Sequence, residues 1–271
     1  MWKDKEKAPI LEFLGWVLLI SVISNVIALA LETYYRTGLA GGEISVGYVI
    51  YVINGVLIDT PTPMIATYIV LKRHHKIESI KDFIKLIVRT PDKKKTYGIL
   101  VLFCATVLVV ALLYGTRNNS PWYLMIVAYP VLIIGGGVEE IGWRGFLQPQ
   151  LERKFPFILS TLITASIWIT WHLPLWLMPS SNHYGDSILG FAIMLFSWSF
   201  IGAAIYKATR SPLACVLYHA FINSIGAIYN WNALFDAWPN KTGIYCYFIL
   251  MVVISSFLWM LINHKEKKQR E

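Results

Sequence analysis

The sequence predicts an all-α, polytopic membrane protein, and its composition carries that prediction. Hydrophobic residues make up 56% of the 271 residues and charged residues only 15%, with a mean hydropathy of +0.54. A soluble domain of this length cannot bury so much apolar surface in one core. The 11 Trp and 15 Tyr also fit, because amphipathic rings collect at membrane interfaces. We expect a single integral membrane domain over residues 1–271.

Eight apolar runs are each long enough to cross a hydrocarbon core about 30 Å thick. The first is longer than the core of a signal peptide and its leader is only weakly basic, so we expect a retained helix. The second contains Pro61 and Pro63, which predict a kink whose freed carbonyls are satisfied by neighbouring helices. The predicted spans are Ile10–Leu31, Val46–Leu71, Thr96–Tyr114, Trp122–Gln148, Phe157–Leu173, Ile188–Tyr206, Leu213–Tyr229 and Ile244–Ile262.

The basic residues predict the orientation. With eight spans, every Lys and Arg except Arg36, Arg117 and Lys241 falls on one side of the membrane. Cytoplasmic loops carry such an excess, so we expect both termini in the cytoplasm. The net charge of +8 is distributed between apolar runs, which favours contact with anionic lipid over nucleic acid. Eukaryotic sorting signals are not apparent, so we expect the plasma membrane.

The longest basic segment is a loop over residues 72–95. Between Ile77 and Ile87 it repeats apolar residues at helical spacing, with charges opposite. Such a helix lies flat on the inner membrane surface, or it is an ordinary helix of a cytosolic loop. The sequence leaves both interpretations open.

Ionisable groups at membrane depth are costly, so each one is a candidate functional residue. Most acids and histidines lie in loops or tails, including His74, His75, His183 and His264, to which we assign no role. The groups at plausible membrane depth are Glu139, Glu140, His172 and His219, with Asp59 beside the proline kink.

The first candidate motif begins at Glu139. If the fourth helix continues through it, Glu140 and Arg144 are one turn apart and pair, whereas Glu139 is rotated by about 100° and lacks that cation. A shielded carboxylate of this kind is suited to general acid or base catalysis. The alternative is a helix that ends at Val138, with both glutamates as solvated loop charges. The preceding glycines 135–137 either let another backbone approach closely or loosen the helix.

The fifth helix carries Trp168 and His172 on one face. Counted from the inner turn at about 1.5 Å per residue, Glu139 and His172 lie at depths of roughly 18 and 22 Å, so they can face each other. The alternative is that His172 is the interfacial end of its helix, before Pro174.

The seventh helix begins with Ser211 as its N-cap and Pro212 in its first turn. His219 then lies roughly 10 Å deep, one turn before Asn223. This depth is shallower than that of Glu139, so only tilt or a kink brings them together. An alternative function for the pair is a hydrogen-bond clamp between helices.

These residues form three motifs in order: E-E-x-x-x-R, an aromatic residue four positions before a His, and H-x-x-x-N. The set resembles the type II CAAX prenyl endopeptidase and bacteriocin-processing family (CPBP, or Abi) of intramembrane proteases, over a core of residues 122–229. One departure is Trp168, at a position that is usually Phe or Tyr in the family. The matching residues are Glu139, Glu140, Arg144, Trp168, His172, His219 and Asn223.

The resemblance implies an intramembrane endopeptidase that cuts a CAAX-type prenylated tail or a processed peptide from a cavity open to the cytosol. It implies that Glu139 and His172 activate a water. His219 and Asn223 then hold the oxyanion of the tetrahedral intermediate. We expect membrane lipid and a peptide or prenylated protein as partners, and a monomeric enzyme.

By the same resemblance, Glu140 and Arg144 brace the site, and a metal-free mechanism without a cofactor is favoured. A zinc-dependent version stays open, since His172, His219 and Glu139 match the ligand types of a catalytic zinc site. The sequence contains no H-E-x-x-H motif, which is the zinc signature of many metalloproteases.

Two other classes of function compete with the peptidase. The first is a catalytically silent immunity or scaffold protein that keeps the fold and binds a partner through helices five and seven. The second is a proton-coupled transporter with a Glu/His pair, which is disfavoured because the sequence shows no inverted repeat.

Overall fold

The computed structural model describes residues 9–41, 44–116, 119–181, 183–229, 249–260 and 262. Regular structure in these ranges is entirely helical, which confirms the predicted all-α class for them. The helices are α1 (Ile10–Gly41), α2 (Val46–Asn54), α3 (Thr62–Arg73), α4 (Ile80–Val88), α5 (Lys93–Tyr114), α6 (Leu124–Ile134), α7 (Glu140–Gly142), α8 (Gln148–Leu151), α9 (Phe157–His172), α10 (Ile188–Thr209), α11 (Pro212–Ile228) and α12 (Ile249–Met260). Both chain ends, His264 and the start of the predicted eighth span lie outside the described residues.

Four helical stretches are long and apolar enough to cross a membrane, and a bent pair makes a fifth. The described helices α11 and α12 are apolar but shorter. The eight predicted spans therefore stay a prediction. The four stretches are Ile10–Gly38, Leu124–Leu151, Phe157–Leu177 and Ile188–Thr209, and the bent pair is Val46–Asp59 with Thr62–Arg73.

The predicted kink in the second span is present. A π-helical turn, Gly55–Asp59, follows α2, and the chain bends by 49° before α3. Within the kink, the hydroxyl of Thr62 donates to the carbonyl of Ile58 at 2.7 Å. That neighbouring helices satisfy the carbonyls freed by the two prolines stays a prediction.

The fourth span is broken, so the predicted uninterrupted α-helix is wrong in detail. Helix α6 ends at Ile134, and the chain continues through a 3-10 turn (Gly137–Glu139), α7, a π-helical turn (Trp143–Leu147) and α8. A side-chain carbon at Gly137 would lie 2.7 Å from the carbonyl oxygen of Val216 on α11. This close approach of two backbones is the physical reason for the glycine. The span nevertheless continues to Leu151.

The segments that connect the helices gather at two ends of the bundle. One end, which we call the basic end, is formed by residues 74–92, 152–156 and 210–211. Contacts join these segments to one another and to the start of α1, as expected if successive helices run in opposite directions. They are Glu12 with Arg73 at 2.8 Å, Lys207 with Glu152 at 3.4 Å and Thr90 with Ser211 at 3.2 Å.

The opposite end, which we call the loop end, is formed by residues 173–187 and by the far ends of α1, α5 and α11. Glu32 near the end of α1 accepts hydrogen bonds from the backbone and hydroxyl of Ser180. Thr116, after α5, forms an isolated backbone bridge with Tyr229, after α11.

Helix α4 packs against the bundle at the basic end. Its N-cap is Ser79, whose hydroxyl accepts from the backbone N–H of Asp82 at 3.2 Å. Phe83 is buried against Tyr68, whereas Ile80 and Ile84 are exposed. An exposed apolar face fits a helix that rests on lipid. The surface location of this loop stays a prediction.

Candidate active site

A cavity of about 580 Å³ lies inside the bundle, between the kink of the second span and helices α6, α9, α10 and α11. Of the seven residues predicted for the site, two lie buried behind its wall, Glu140 and Arg144. The other five line the cavity: Glu139, Trp168, His172, His219 and Asn223. Side chains from three separate segments of the chain thus meet around one hollow.

Glu139 lies in the 3-10 turn after the break in the fourth span and is only 5% exposed. The indole Nε1 of Trp168 donates a hydrogen bond of 2.8 Å to its Oε2. Glu140, the next residue, is 3% exposed. The alternative that both glutamates are solvated loop charges is therefore wrong.

Glu140 holds two partners through a single oxygen. Its Oε1 accepts from Nη1 of Arg144 at 3.2 Å and from Nδ1 of His219 at 3.0 Å. The pair with Arg144 has the one-turn spacing that the sequence predicted. The contact with His219 joins α7 to α11. A hydrogen-bond clamp between helices, the alternative function considered for His219 and Asn223, is therefore present, but it links His219 to Glu140. His219 and Glu140 thus meet despite the shallow depth expected for His219.

His219 and Asn223 border a small space beside Gly136. A side-chain carbon at Gly136 would lie 3.5 Å from Nε2 of His219 and would collide with Nδ2 of Asn223. Because Nδ1 of His219 is turned to Glu140, Nε2 is the atom of this ring on the Gly136 side. The glycine therefore leaves room where two nitrogen atoms converge.

His172 is fixed by its own helix and by aromatic rings. Its Nδ1 donates to the carbonyl of Trp168 at 2.8 Å, which leaves Nε2 as the acceptor of a neutral ring. Ring centroids of Trp171 and Phe191 lie 4.8 and 5.2 Å from that of His172. One turn of α9 thus sets both the tautomer and the position of the imidazole.

Trp168 is the centre of the arrangement. Its ring centroid lies 5.8 Å from that of His172 and 5.4 Å from that of His219. Cζ of Arg144 lies 4.7 Å from the ring centroid, which is a cation–π distance. Arg144 itself is fully buried, beside Gly202, where a side-chain carbon would lie 2.9 Å from Nε of Arg144.

Residues 119–225 match the family model described as type II CAAX prenyl endopeptidase Rce1-like. That range contains all three motifs. The resemblance to this family is confirmed. A relative, CAAX prenyl protease 2 of Methanococcus maripaludis, is 25% identical over 100 residues, which cover 34% of this chain and 37% of the relative. The aligned part thus spans little more than a third of that protein.

The Rce1-like region does not form the cavity alone. It runs from just before α6 to near the end of α11. Three residues that precede it, Asn25, Asp59 and Thr60, also line the cavity. The sequence had marked Asp59 only as an outlier at the kink, and the bend of the second span brings it to the wall.

One residue of the Rce1-like region was missed. His183, to which the sequence assigned no role, lines the cavity. Its ring stacks on Trp176 with centroids 5.2 Å apart and lies 6.4 Å from the ring of His172. Burial lowers the pKa of His183, although Asp186 opposes this shift. The loop sequence gave no periodic signal, so its approach to α9 was not predictable.

The zinc ligand set proposed as an alternative is not brought together as a cluster. Within the described ranges, no three His, Cys, Asp or Glu side chains meet as a group that could hold a metal ion. The Nδ1 atoms of His172 and His219 are both engaged in hydrogen bonds, so Nε2 is the nitrogen with which each ring could hold a metal. Zinc dependence of the site stays a prediction.

Proposed function

We propose that this chain is an intramembrane endopeptidase that hydrolyses a peptide bond of a membrane-proximal substrate, either a prenylated tail or a processed peptide. The observation that carries the proposal is that Glu139, His172, His219 and Asn223 line one cavity. We propose that the enzyme is a monomer. We place it in the plasma membrane, with lipid around it.

In the proposed mechanism, Glu139 is the general base. Its carboxylate takes a proton from water as the water oxygen bonds to the substrate carbonyl carbon. Nε2 of His172, an acceptor in the neutral ring, orients the same water. The proton then passes from Glu139 to the leaving amine nitrogen as the C–N bond breaks. Water and peptide thus give a carboxylic acid and an amine.

His219 and Asn223 stabilise the oxyanion of the tetrahedral intermediate. Asn223 supplies an amide N–H. Because Nδ1 of His219 is turned to the carboxylate of Glu140, the ring donates to the oxyanion from Nε2, in the form that carries a proton on both nitrogens. Elsewhere, removing one oxyanion donor costs about 3–4 kcal/mol of transition-state stabilisation. Glu140 and Arg144 are positioning residues in this scheme.

Cleavage of an internally quenched peptide by the purified protein in detergent tests the proposal. Glu139→Gln and His172→Ala should abolish cleavage while the protein still folds and inserts. Glu152→Gln, the same chemical change at the basic end, is the matched control and should retain activity. A folded Glu139→Gln protein with normal activity would contradict the proposal, as would one that keeps a cellular phenotype and so behaves as a scaffold.

Metal dependence is tested on the same assay. A zinc chelator should leave the rate unchanged, because the proposed base is a carboxylate that acts on water directly. Loss of activity on chelation, restored by added zinc, would overturn the metal-free mechanism but keep the peptidase.

A further inference from the structure

The cavity is displaced towards the loop end of the bundle. Its described lining includes Asp186 and Ser187, just before α10, and Gly226 and Ala227, in the last turn of α11. Among these, Asp186, Ser187 and Ala227 are exposed. The side chain of Asp186 is 47% exposed. The exposed part of the described cavity wall therefore lies at the loop end.

The basic end is closed beneath the cavity. The segment that follows Glu139 towards that end is buried, and it includes three of the five largest fully buried side chains among the described residues. Its members Trp143, Arg144, Phe146 and Leu147 have no exposed surface, and Ile141 has 2%. We call this layer the plug. Among the described residues, none of these five lines the cavity.

The charges assign the two ends to the two faces of the membrane. The described Lys and Arg outside the apolar stretches lie at the basic end, except Arg36 near the end of α1. Arg117 and Lys241 lie outside the described residues. An excess of Lys and Arg marks the cytoplasmic side, so the loop end faces away from the cytoplasm.

We propose that the cavity takes its substrate from the extracytoplasmic face, so that the substrate is a peptide segment already carried across the membrane. This inference rests on the proposed peptidase and decides between its two substrate classes. A prenylated tail in the cytosol would approach the closed basic end, at the plug. An exported or translocated segment would approach the loop end, where the cavity is open. It replaces the cavity open to the cytosol that the sequence resemblance implied.

The charge of the wall supports the same substrate class. The described lining holds the carboxyl groups of Asp59, Glu139 and Asp186 and no Lys or Arg. A C-terminal tail cut close to its end brings an α-carboxylate into this wall, and like charges at close range cost several kcal/mol. A segment cut internally, neutral or basic near the scissile bond, avoids that repulsion.

Cysteine labelling tests the direction of access without requiring activity. In a background in which Cys104, Cys215 and Cys246 are replaced by Ala, single cysteines are introduced by Ala227→Cys at the mouth and Lys94→Cys at the basic end. A membrane-impermeant maleimide should label Ala227→Cys in intact cells, and Lys94→Cys only after permeabilisation. The reverse pattern would overturn the proposal. Tyr184→Cys, on the exposed loop, is a second reporter of the loop end if Ala227→Cys fails to fold.

A peptide pair tests the substrate class on the purified protein, where both ends are accessible. The peptides share one sequence and end shortly after the scissile bond, one in a free carboxylate and one in an amide. The amide should have a kcat/KM at least about tenfold higher. Equal rates, or a preference for the carboxylate, would contradict the inference. Cleavage of neither peptide, nor of any other, would contradict the proposed function itself and leave the labelling result standing.

Discussion

Trp168 joins the residues of the site to one another. It donates to Glu139, its carbonyl accepts from His172, and its ring contacts Arg144. The sequence placed Trp168 and His172 on one face because both lie on one helix. The bond to Glu139 was not predictable, since it depends on how two helices are turned towards each other.

Trp168→Phe should keep the fold, because the family usually has Phe or Tyr here, but should weaken catalysis. It removes the indole N–H from a buried carboxylate, and a hydrogen bond to a charged group contributes about 1.5–3 kcal/mol. We therefore expect kcat/KM to fall by about ten- to a hundredfold. Trp259→Phe makes the same change at an indole outside the described cavity lining, where the ring stacks on Phe157, and is the control. Equal losses in both variants would show that ring size, and not the bond to Glu139, is responsible.

The buried pair of Arg144 and Glu140 makes a second prediction at this scale. Arg144→Met should destabilise the protein by about 3–5 kcal/mol, because it leaves the carboxylate of Glu140 buried without its cation. Arg144→Met combined with Glu140→Leu should recover part of that loss. Thermal unfolding in detergent measures both variants. A double variant that is less stable than Arg144→Met alone would contradict this explanation.

At the scale of elements, the fourth span differs from the single helix that its apolar sequence predicted, because tertiary packing breaks it. Its apolar run predicted one helix, and glycines 135–137 predicted either close approach or loosening. The structure shows both, since α6 ends at Ile134 and Gly137 packs against the backbone of α11. A local feature of the sequence, here the glycines 135–137, predicts where a helix breaks easily. The geometry of the break is set by contact with α11, nearly 80 residues further along the chain, and a pattern in the local sequence contains no information about that contact.

Gly137→Ala should destabilise the protein by about 1–3 kcal/mol, the usual cost of overpacking. The new carbon would lie 2.7 Å from the carbonyl oxygen of Val216, so α11 must shift. Gly98→Ala in α5, where a new carbon meets nothing within 4 Å, should instead stabilise by about 0.5–1 kcal/mol, since alanine favours helix. Thermal unfolding of both variants in the same detergent compares them. Equal stability of the two variants would show that α11 shifts without lowering the free energy of unfolding.

At the scale of the whole molecule, hydropathy predicted helices that the structure confirms, whereas the number of membrane crossings stays a prediction. Apolar composition does not distinguish a helix that faces lipid from one packed inside the bundle, and α10 is largely buried. The two-ended arrangement follows from the alternation that the basic residues predicted. The closed basic end and the displaced cavity do not, because they depend on side-chain packing in three dimensions.

The predicted eight crossings would place both termini on one face, which the basic residues predict to be the cytoplasmic one, whereas an odd number would separate them. Epitope tags at the two ends should therefore both resist protease in intact spheroplasts and both be digested in inverted vesicles. A periplasmic reporter fused after residue 187 should be active and one fused after residue 92 inactive. Tags that behave differently from each other would contradict the count of eight.

The plug has a consequence for the cell as a whole. If the chain is the hydrolase proposed above, its cavity holds water within the bilayer, and an open path from one surface to the other would let protons leak down the electrochemical gradient. The close packing of Trp143, Phe146 and Leu147 would close that path at the basic end. The proposed base could then meet water while the membrane stays impermeable to protons.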